Sequence, residues 1–420
     1  MHVETNITEV VRYARLRLQF LRSASILRES SSGKIANITN LMTACLKVLH
    51  VAETAKGGVG TYIDDVASLQ LAQRGDPFIR VVLPDAHATQ LQRVPLAVQR
   101  RFKAADNRLA NTVGMVRAAM QQVREWEPDV VHLHSTFAGF ALRPLLAMRS
   151  HRPRIVYCSH GWAFDREGHA NANRLFKWIE RVWSRWCDAV VCVSSHECAA
   201  AEQIGIDRKR LVLVNNGVRD VAPPPAENPA LAAWPAGMRR VLFVGRLDRQ
   251  KGVDVLFEAM RRLHDTAFAV IVGAPVVAGG ALTGMPANVR IAGWLGRDEI
   301  AAYYAAAEVM VIPSRWEAFS LVAVEAMRAG CAVVATAVGG LRDVVVDEVT
   351  GHLVAPEDAA GLAACIASLS ASDIADMGRA GRERFERHFR IERVVEELEA
   401  IYRAAVSQVR AEIPASAEGY

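Results

Sequence analysis

Short, almost continuous apolar segments alternate along this chain with longer segments in which apolar positions recur every three or four residues. The short segments have the length and composition of strands that are covered on both faces, as in parallel sheets. The predicted strands are 46–52, 79–83, 130–133, 155–158, 189–193, 240–244, 269–272, 289–291, 309–312 and 332–335. This alternation predicts an α/β fold built on parallel sheets.

The same opening unit occurs twice in the pattern. The first predicted strand leads into the glycine loop Lys56–Gly60 and a helix from about Thr61. The strand at 240–244 leads into a second glycine loop, Gly245–Gly252, and a helix from about Val253. A strand, a glycine loop and a helix open a doubly wound parallel sheet. The repeat therefore predicts two Rossmann-like domains that face each other across a central cleft.

Composition suggests where the domains end. A proline cluster cannot continue a helix or an inner strand, so it marks a stiff linker. Apolar residues at helical spacing predict a helix near the end of the chain. The predicted divisions are an N-terminal extension at 1–45 for which disorder is one interpretation, a first domain at 46–220, a linker at 221–235, a second domain at 236–390, a terminal helix at 391–410 and a disordered tail at 411–420.

Charge and cysteine content exclude several classes of function. The net charge of +5 is mild, and no arginine-rich segment carries interleaved aromatics, so no nucleic-acid partner is expected. This charge is compatible with an anionic substrate or an anionic membrane surface as a partner. The seven cysteines include no CxxC pair, which argues against zinc. Their odd number, and the lack of a signal-peptide pattern, predict a cytoplasmic protein.

Two glutamates give the most specific chemical signal. The strand at 309–312 precedes a short loop with Glu317, and Ser320 can cap a following helix that carries Glu325. Both carboxylates can face one cleft at the carboxyl end of a parallel strand, where α/β sheets bind ligands. A carboxylate can accept two hydrogen bonds from the vicinal hydroxyls of a ribose. The alternative is that both are solvated side chains on a loop and a helix.

The loop Gly245–Gly252 carries two cations, Arg246 and Lys251, five positions apart. Arginine offers a bidentate fork and lysine a point charge, so both can bind one diphosphate. They are expected across the cleft from the two glutamates. The alternative is a pair of solvated basic residues around a turn.

Weaker candidates lie in the first domain. Gly57 and Gly58 either allow ligands close to the backbone or pack the strand tightly against its helix, and His160 follows a predicted strand on the cleft side. His132 and His134 face the same way, but no third metal ligand is apparent, so no metal site is predicted. The aromatic residues between 176 and 186 are expected in the core, with membrane contact as the alternative.

These motifs, in this order, resemble the family-4 retaining glycosyltransferases of the GT-B fold, also known as glycosyl transferases group 1. The resemblance covers roughly residues 46–405. It implies that Glu325 binds the ribose, that Arg246 and Lys251 stabilise the leaving diphosphate, and that the terminal helix crosses back to the first domain. At the donor sugar it implies Glu317, His160 and the backbone of Ala318, Phe319 and Ser320. In the donor site near the base it implies Gly245, Gly273, Gly293 and Trp294. At the acceptor and diphosphate it implies Gly57 and Gly58.

The resemblance also implies a reaction. A sugar would pass from a UDP- or GDP-sugar to an acceptor hydroxyl with retention, without a cofactor or divalent metal, and the acceptor would be a saccharide such as a lipid-linked oligosaccharide for surface polysaccharides. Peripheral contact with the inner face of the membrane is part of this expectation. The sequence departs from the family at Ala318, where glycine is common, and at Arg342 and Asp343. Two rivals stay open: a nucleotide-sugar epimerase of the same fold, and a catalytically silent partner subunit.

Overall fold

A computed structural model describes residues 46–104, 107–165, 170–221, 228–274 and 284–412. The predicted N-terminal extension, the proline cluster of the predicted linker and the last eight residues of the predicted tail lie outside the described residues. Within the described ranges the chain forms two sheets, and every strand pair in them is parallel.

The first sheet has seven strands in the order β3-β2-β1-β4-β5-β6-β7. Its strands are β1 (Val48–Ala52), β2 (Ile79–Pro84), β3 (Gln99–Phe102), β4 (Val130–His134), β5 (Arg154–Cys158), β6 (Ala189–Cys192) and β7 (Leu211–Leu213). The intervening α-helices are α1 (Gly57–Arg74), α2 (Arg108–Glu125), α3 (Thr136–Ala147), α4 (Ala170–Trp183) and α5 (Ser195–Gln203). Buried side chains such as Leu133, Tyr157 and Trp162 form the core of this domain.

The second sheet has six strands in the order β10-β9-β8-β11-β12-β13. Its strands are β8 (Arg239–Val244), β9 (Ala267–Val272), β10 (Val289–Gly293), β11 (Val309–Ile312), β12 (Ala332–Thr336) and β13 (Gly351–Val354). Its helices are α6 (Val253–Leu263), α7 (Arg297–Ala306), α8 (Leu321–Arg328), α9 (Leu341–Val344), α10 (Ala359–Ser368) and α11 (Ala371–His388), and α12 (Ile391–Glu412) ends the described chain. Phe243, Leu256 and Ile271 lie in its separate core.

Every predicted strand is present, and three further strands were missed. The missed strands β3, β7 and β13 all lie at the outer edges of their sheets. An edge strand is covered on fewer sides, so its apolar signal is weak, as in the Gln-Arg-Arg-Phe sequence of β3. The predicted start of α1 was also wrong, because the helix begins at Gly57 and the glycine loop lies in its first turn.

Strand order reverses once in each sheet, and this positions the site. The reversal falls between β1 and β4 in the first sheet and between β8 and β11 in the second. At such a point the connecting helices diverge to opposite faces, and a crevice opens at the carboxyl ends of the two strands. The segments that follow β8 and β11, including Lys251 and Glu317, therefore meet at one crevice.

The terminal helix α12 packs against α1 and covers one face of the first sheet. Glu399 of α12 accepts a hydrogen bond from Gln70 of α1, and Tyr402 is 2.7 Å from a ring nitrogen of His132 in β4. Helix α12 is thus a structural part of the first domain.

The described helices include no single one that is long and apolar enough to cross a membrane; one bent pair, Ala359–Ser368 with Ala371–His388, would pass on length and composition.

Candidate functional site

The loop after β11 places Glu317 against a lysine of the loop after β8. The Oε1 atom of Glu317 accepts hydrogen bonds from Oγ of Ser314 at 2.9 Å and from Nζ of Lys251 at 2.5 Å. The side chain of Glu317 is only 8% exposed, and that of Lys251 only 18%. Partial burial strengthens this ion pair relative to a surface pair. Lys251 and Glu317 therefore form one neutralised unit.

This pairing corrects one expectation from the sequence. The cations do not lie across the cleft from the glutamates, because β8 and β11 are neighbours in the same sheet. Arg246 lies in the same loop as Lys251, with Nη2 2.7 Å from Oε1 of Gln250 and 3.0 Å from a carboxylate oxygen of Asp248. Its side chain is 47% exposed. The predicted cationic and acidic residues share one wall of the cleft.

Backbone contacts hold these loops in register. A methyl group added to Gly339, which has φ of +46°, would be 1.9 Å from the carbonyl oxygen of Glu317. A methyl group on Gly273 would likewise be 1.9 Å from the carbonyl oxygen of Gly245. Only glycine permits such close approach of two backbones. The loop after β12 therefore supports the Glu317 loop, and the end of β9 supports the start of the Lys251 loop.

Glu325 lies in α8, where a tyrosine orients it. Ser320 caps this helix by accepting a hydrogen bond from the amide of Ala323, as predicted. The Oε2 atom of Glu325 accepts a hydrogen bond of 2.7 Å from the hydroxyl of Tyr304, and burial raises the pKa of that tyrosine well above its usual value. Tyr304 thus stays protonated and keeps donating to the carboxylate.

The predicted donor residues Phe319, Gly273, Gly293 and Trp294 differ in burial and in their contacts within the protein. The ring of Phe319 is buried and lies edge-on to Phe389, with centroids 5.9 Å apart. Gly293 ends β10, the outermost strand of the sheet, and the neighbouring Trp294 is 67% exposed. The amide of Gly273 donates to the carbonyl of Gly293 at 2.8 Å.

The first domain supplies the opposite wall through His160. This residue follows β5 with φ of +53°, a left-handed conformation that is uncommon for a side-chain-bearing residue. Glu197, which the sequence analysis missed, supports the same loop: its carboxylate accepts from Oγ of Ser159 at 3.2 Å and from the amide of Val193 at 2.9 Å. Burial raises the pKa of Glu197 to about 7.

Both walls border one cavity of about 750 Å³. Its lining includes His160, Glu197, Gln250, Glu317, Ala318 and Gly339. A contact between the domains closes one side, where the carboxylate of Asp343 accepts hydrogen bonds from the amide and hydroxyl of Ser195, the first residue of α5. The structure therefore brings His160 and Glu317 to the same space.

Gly58 lies beside the donor helix of the other domain. A methyl group added there would be 3.5 Å from a side-chain methyl of Leu321, the first residue of α8. Gly57 and Gly58 are exposed in the first turn of α1. The amino-terminal ends of α1 and α8 thus face each other, and such ends favour anions.

A third histidine completes a cluster that sequence reasoning found only in part. His50 of β1 is in register with His132 of β4, and with His134 the three rings place nitrogens within 4.8 Å of one another. Pairing β1 with β4 in parallel would have found His50 from the sequence. The statement that no third ligand is apparent was therefore wrong.

Known proteins resemble both halves of the chain. Residues 56–222 match the family model described as Glycosyltransferase Family 4, and residues 238–372 match the one described as Glycosyl transferases group 1. The D-inositol 3-phosphate glycosyltransferase of Mycolicibacterium smegmatis is 30% identical over 398 residues, covering 85% of this chain and 88% of the relative. An uncharacterized 41.2 kDa protein in the cps region of Klebsiella pneumoniae is 29% identical over 320 residues, covering 75% and 87% of the two chains.

A solved structure supports the fold. Anabaena HepE in complex with UDP-glucose has a TM-score of 0.71 and 20% sequence identity, covering 88% of this chain and 100% of that chain. At this identity the likeness concerns architecture alone. It confirms the predicted fold of two Rossmann-like domains.

Proposed function

Because this chain belongs to the glycosyl transferases group 1, the family-4 glycosyltransferases, we propose that it transfers a sugar from a UDP- or GDP-sugar to an acceptor hydroxyl with retention of the anomeric configuration. The observation that carries this proposal is the ion pair of Lys251 with Glu317, because Glu317 lines a cavity that His160 borders from the other domain. The UDP-glucose in the HepE complex supports a nucleotide-sugar donor.

The cations serve the leaving group. A departing nucleoside diphosphate gains negative charge, which fixed cations stabilise in a partly dehydrated site. Lys251 is held by Glu317 in the free protein, so we propose that the diphosphate displaces Glu317 from Lys251. The released carboxylate then accepts hydrogen bonds from the donor sugar, and the exposed fork of Arg246 reaches the second phosphate.

Glu325 binds the ribose in this proposal. One carboxylate has about four acceptor positions, and Tyr304 occupies one of them. The tyrosine fixes the plane of the carboxylate, and two vicinal hydroxyls of the ribose are proposed to donate to it. The side chain therefore acts in donor binding and not in proton transfer.

Retention is proposed to occur on one face of the sugar. A double displacement needs a carboxylate nucleophile about 5 Å from a second carboxyl group. The first-domain carboxylates that line the cavity are Glu197, whose two oxygens accept from Ser159 and Val193, and Asp165, whose Oδ2 is 2.6 Å from a ring nitrogen of His196. We therefore propose that the leaving phosphate takes the acceptor proton as the acceptor attacks from the same face. Lys251 and Arg246 supply the cationic charge, so no divalent metal is needed.

The acceptor is proposed to be a saccharide, with a lipid-linked oligosaccharide of surface polysaccharide synthesis as the specific candidate. The relative in the cps region supports this class. The prediction that the aromatic residues of α4 are all in the core was wrong for Trp178, which is 59% exposed beside exposed Leu175. Together with Lys177 they form a surface suited to peripheral contact with an anionic membrane at the cytoplasmic face.

The test is a panel of UDP- and GDP-sugars, with release of nucleoside diphosphate measured with and without a saccharide acceptor. Equal rates in EDTA and in magnesium are expected, and NMR of the product should show the anomeric configuration of the donor. A converted donor sugar without any acceptor would indicate an epimerase instead. Failure to bind any nucleotide in a calorimetric titration would indicate a silent subunit.

A further inference from the structure

A buried chain of hydrogen bonds runs from His160 into the first domain, away from the cavity. The Nε2 atom of His160 is 2.9 Å from Nδ1 of His134, whose Nε2 is 3.0 Å from Nδ1 of His50. The Nε2 atom of His50 is 2.7 Å from Oε1 of Gln70, and the amide nitrogen of Gln70 donates to Glu399 at 3.0 Å. We call the first four side chains the histidine relay: His160, His134, His50 and Gln70.

Segments far apart in the chain bring together the relay and Glu399, and His160 itself follows β5. His50 lies in β1, His134 ends β4, Gln70 lies in α1, and Glu399 reaches it from α12. The inner three side chains, His50, His134 and Gln70, are at most 1% exposed. Buried polar groups of this kind are costly unless they are hydrogen-bonded, so each link constrains the next.

The rings of the relay are neutral near pH 7. Burial lowers the pKa of His50 and of His160 to about 4, and it holds the pKa of His134 well below the usual value. A neutral imidazole has one N–H donor and one acceptor nitrogen. A chain of such rings must therefore run in one direction or the other.

The buried end of the relay sets the direction. Glu399 forms an ion pair with Arg74, so its carboxylate accepts, and the nitrogen of Gln70 must face it. The oxygen of Gln70 therefore faces His50 and accepts from the Nε2–H of that ring. Nδ1 of His50 is then the acceptor for the next ring.

The remaining hydrogen bonds run in the same direction toward the cavity. His134 donates from Nε2 to His50, so its Nδ1 accepts from Nε2–H of His160. Nδ1 of His160 is left with a lone pair, and no side chain or backbone group within the described ranges donates to it. If every hydrogen bond of this series ran in the opposite direction, Nδ1 of His160 would carry an N–H instead.

We propose that the relay fixes His160 in its Nε2–H tautomer, so that Nδ1 presents an acceptor to the cavity and selects a hydroxyl or N–H of the donor sugar. Gln70, His50 and His134 are then positioning residues that act through His160. An oxygen that can only accept, such as an ether or carbonyl oxygen, is rejected at this position. The recognition of a sugar rests on the proposed function; the tautomer does not.

A metal ion is the competing use of the same rings. Two imidazole nitrogens bound to one tetrahedral zinc at about 2.1 Å lie about 3.4 Å apart. The nitrogens of His50 and His134 are 3.0 Å apart, a hydrogen-bond distance. His132 borders the relay with Nδ1 2.7 Å from the hydroxyl of Tyr402 and makes no hydrogen bond to the relay in the described structure. The geometry favours the relay.

The test is ¹⁵N NMR of histidine-labelled full-length protein at pH 7.5, with signals assigned from the single variants H50Q, H134Q and H160Q. The Nε2–H tautomer is expected for all three rings in the wild-type protein. The Gln70→Leu substitution removes the terminal acceptor and should shift His160 toward the Nδ1–H tautomer. The double variant Gln70→Glu, Glu399→Gln moves the carboxylate to position 70 and the amide to position 399, which keeps an acceptor for His50 and a hydrogen-bonded pair behind it, and it should preserve the wild-type tautomers.

Tyr157→Phe is the matched control, since it removes one buried hydroxyl of the first-domain core, which donates to Glu180, without touching a link of the relay. It should leave the three tautomers and the transferase rate unchanged, while Gln70→Leu lowers kcat/KM at least tenfold and the Gln70→Glu, Glu399→Gln double variant stays within about threefold of wild type. An Nδ1–H or charged His160 in the wild type, or stoichiometric transition metal in the purified protein, would overturn the relay.

The activity measurements separate the two proposals. If the wild-type protein shows the expected tautomers but the Gln70→Leu variant keeps the wild-type rate, the role of the relay in catalysis is overturned. If the wild-type protein shows the expected tautomers but no transferase activity on any donor, the relay is upheld as a structural device and the proposed function is overturned.

Discussion

The second-domain wall of the cavity carries formal charges that neutralise one another, whereas the first-domain wall carries buried neutral rings. Lys251 and Glu317 are paired over 2.5 Å and are partly open to solvent. His160 instead ends a relay whose inner members are almost fully buried. Charge stabilisation and directional hydrogen bonding are thus divided between the two domains.

This difference affects how each wall responds to ligand. An ion pair at the surface of a cavity can be exchanged for a pair with an incoming anion, because both partners remain near water. A buried relay cannot rearrange without leaving polar atoms unsatisfied. The second domain is therefore suited to exchange its partners during a reaction, and the first is suited to present one fixed acceptor.

Acidification should give the largest effect and should act on the neutral wall. The native pKa values of His50 and His160, about 4, lie below the unfolded value of 6.5, so the unfolded chain binds more protons between these limits. Stability is then present above pH 6.5 and is lost as pH falls toward 4, by up to about 3 kcal/mol for each ring. Urea unfolding at pH 6.5, 5.5 and 4.5 measures this loss.

Glu197 acts in the opposite direction and provides the control. Its native pKa of about 7 lies above the unfolded value of 4.5, so its contribution falls as pH rises between them. The Glu197→Gln variant should therefore show a steeper loss of stability on acidification than the wild type. A free energy of unfolding that stays constant between pH 6.5 and 4.5 would contradict the account of the neutral wall.

Lys251→Ala should give the largest catalytic effect on the charged wall. Removing a fixed donor to a developing negative charge costs about 10²- to 10³-fold in kcat. The same substitution leaves Glu317 without its cation, so donor binding should change less than turnover. Arg261→Ala, an exposed cation on α6 paired with Glu258, is the matched control and should keep full activity. Equal rates in the two variants would remove Lys251 from the proposed mechanism.

Glu325→Ala should act on binding instead. The loss of hydrogen bonds from ribose hydroxyls to a carboxylate is expected to raise the donor KM about 10- to 100-fold, with a smaller change in kcat. Steady-state kinetics with varied donor separates the two constants. Tyr304→Phe should give an intermediate rise in KM, because the carboxylate remains but loses the hydroxyl that orients it. A fall in kcat alone would contradict the assignment to ribose.

Asp343→Ala should give the smallest effect, at the contact between the two walls. It removes the hydrogen bonds to Ser195, which are exposed and worth about 1 kcal/mol together. Weaker closure admits water, so the ratio of donor hydrolysis to transfer should rise a few-fold. Asp343→Glu should restore much of the wild-type ratio. An unchanged ratio in the alanine variant would show that this contact does not control closure.

The charged wall was easier to read from the sequence than the neutral one. Gly245–Gly252 and the segment with Glu317 and Glu325 are each contiguous, so their strands, caps and charged residues appear as local patterns. Even here one feature was misplaced: the cations share a wall with the glutamates, since the order of strands in a sheet is not written in any local pattern.

The neutral wall combines residues that are far apart in the chain. From the sequence, His134 was noted only together with His132, and none of His50, Gln70 and Glu399 was identified. Only the parallel pairing of β1 with β4 and the return of α12 bring them together. The roles of the predicted site residues stay predictions until the variants are measured.

The sequence by itself determined the alternation of buried strands and helices, the two glycine loops and the cap at Ser320, because each depends on residues within one turn or one strand. Tertiary structure alone decided that Lys251 pairs with Glu317 and that Glu399, through Gln70, sets the direction of the rings behind His160. Those contacts depend on which strands become neighbours and where the last helix packs. Both are set by the burial of whole surfaces and not by any short stretch of sequence.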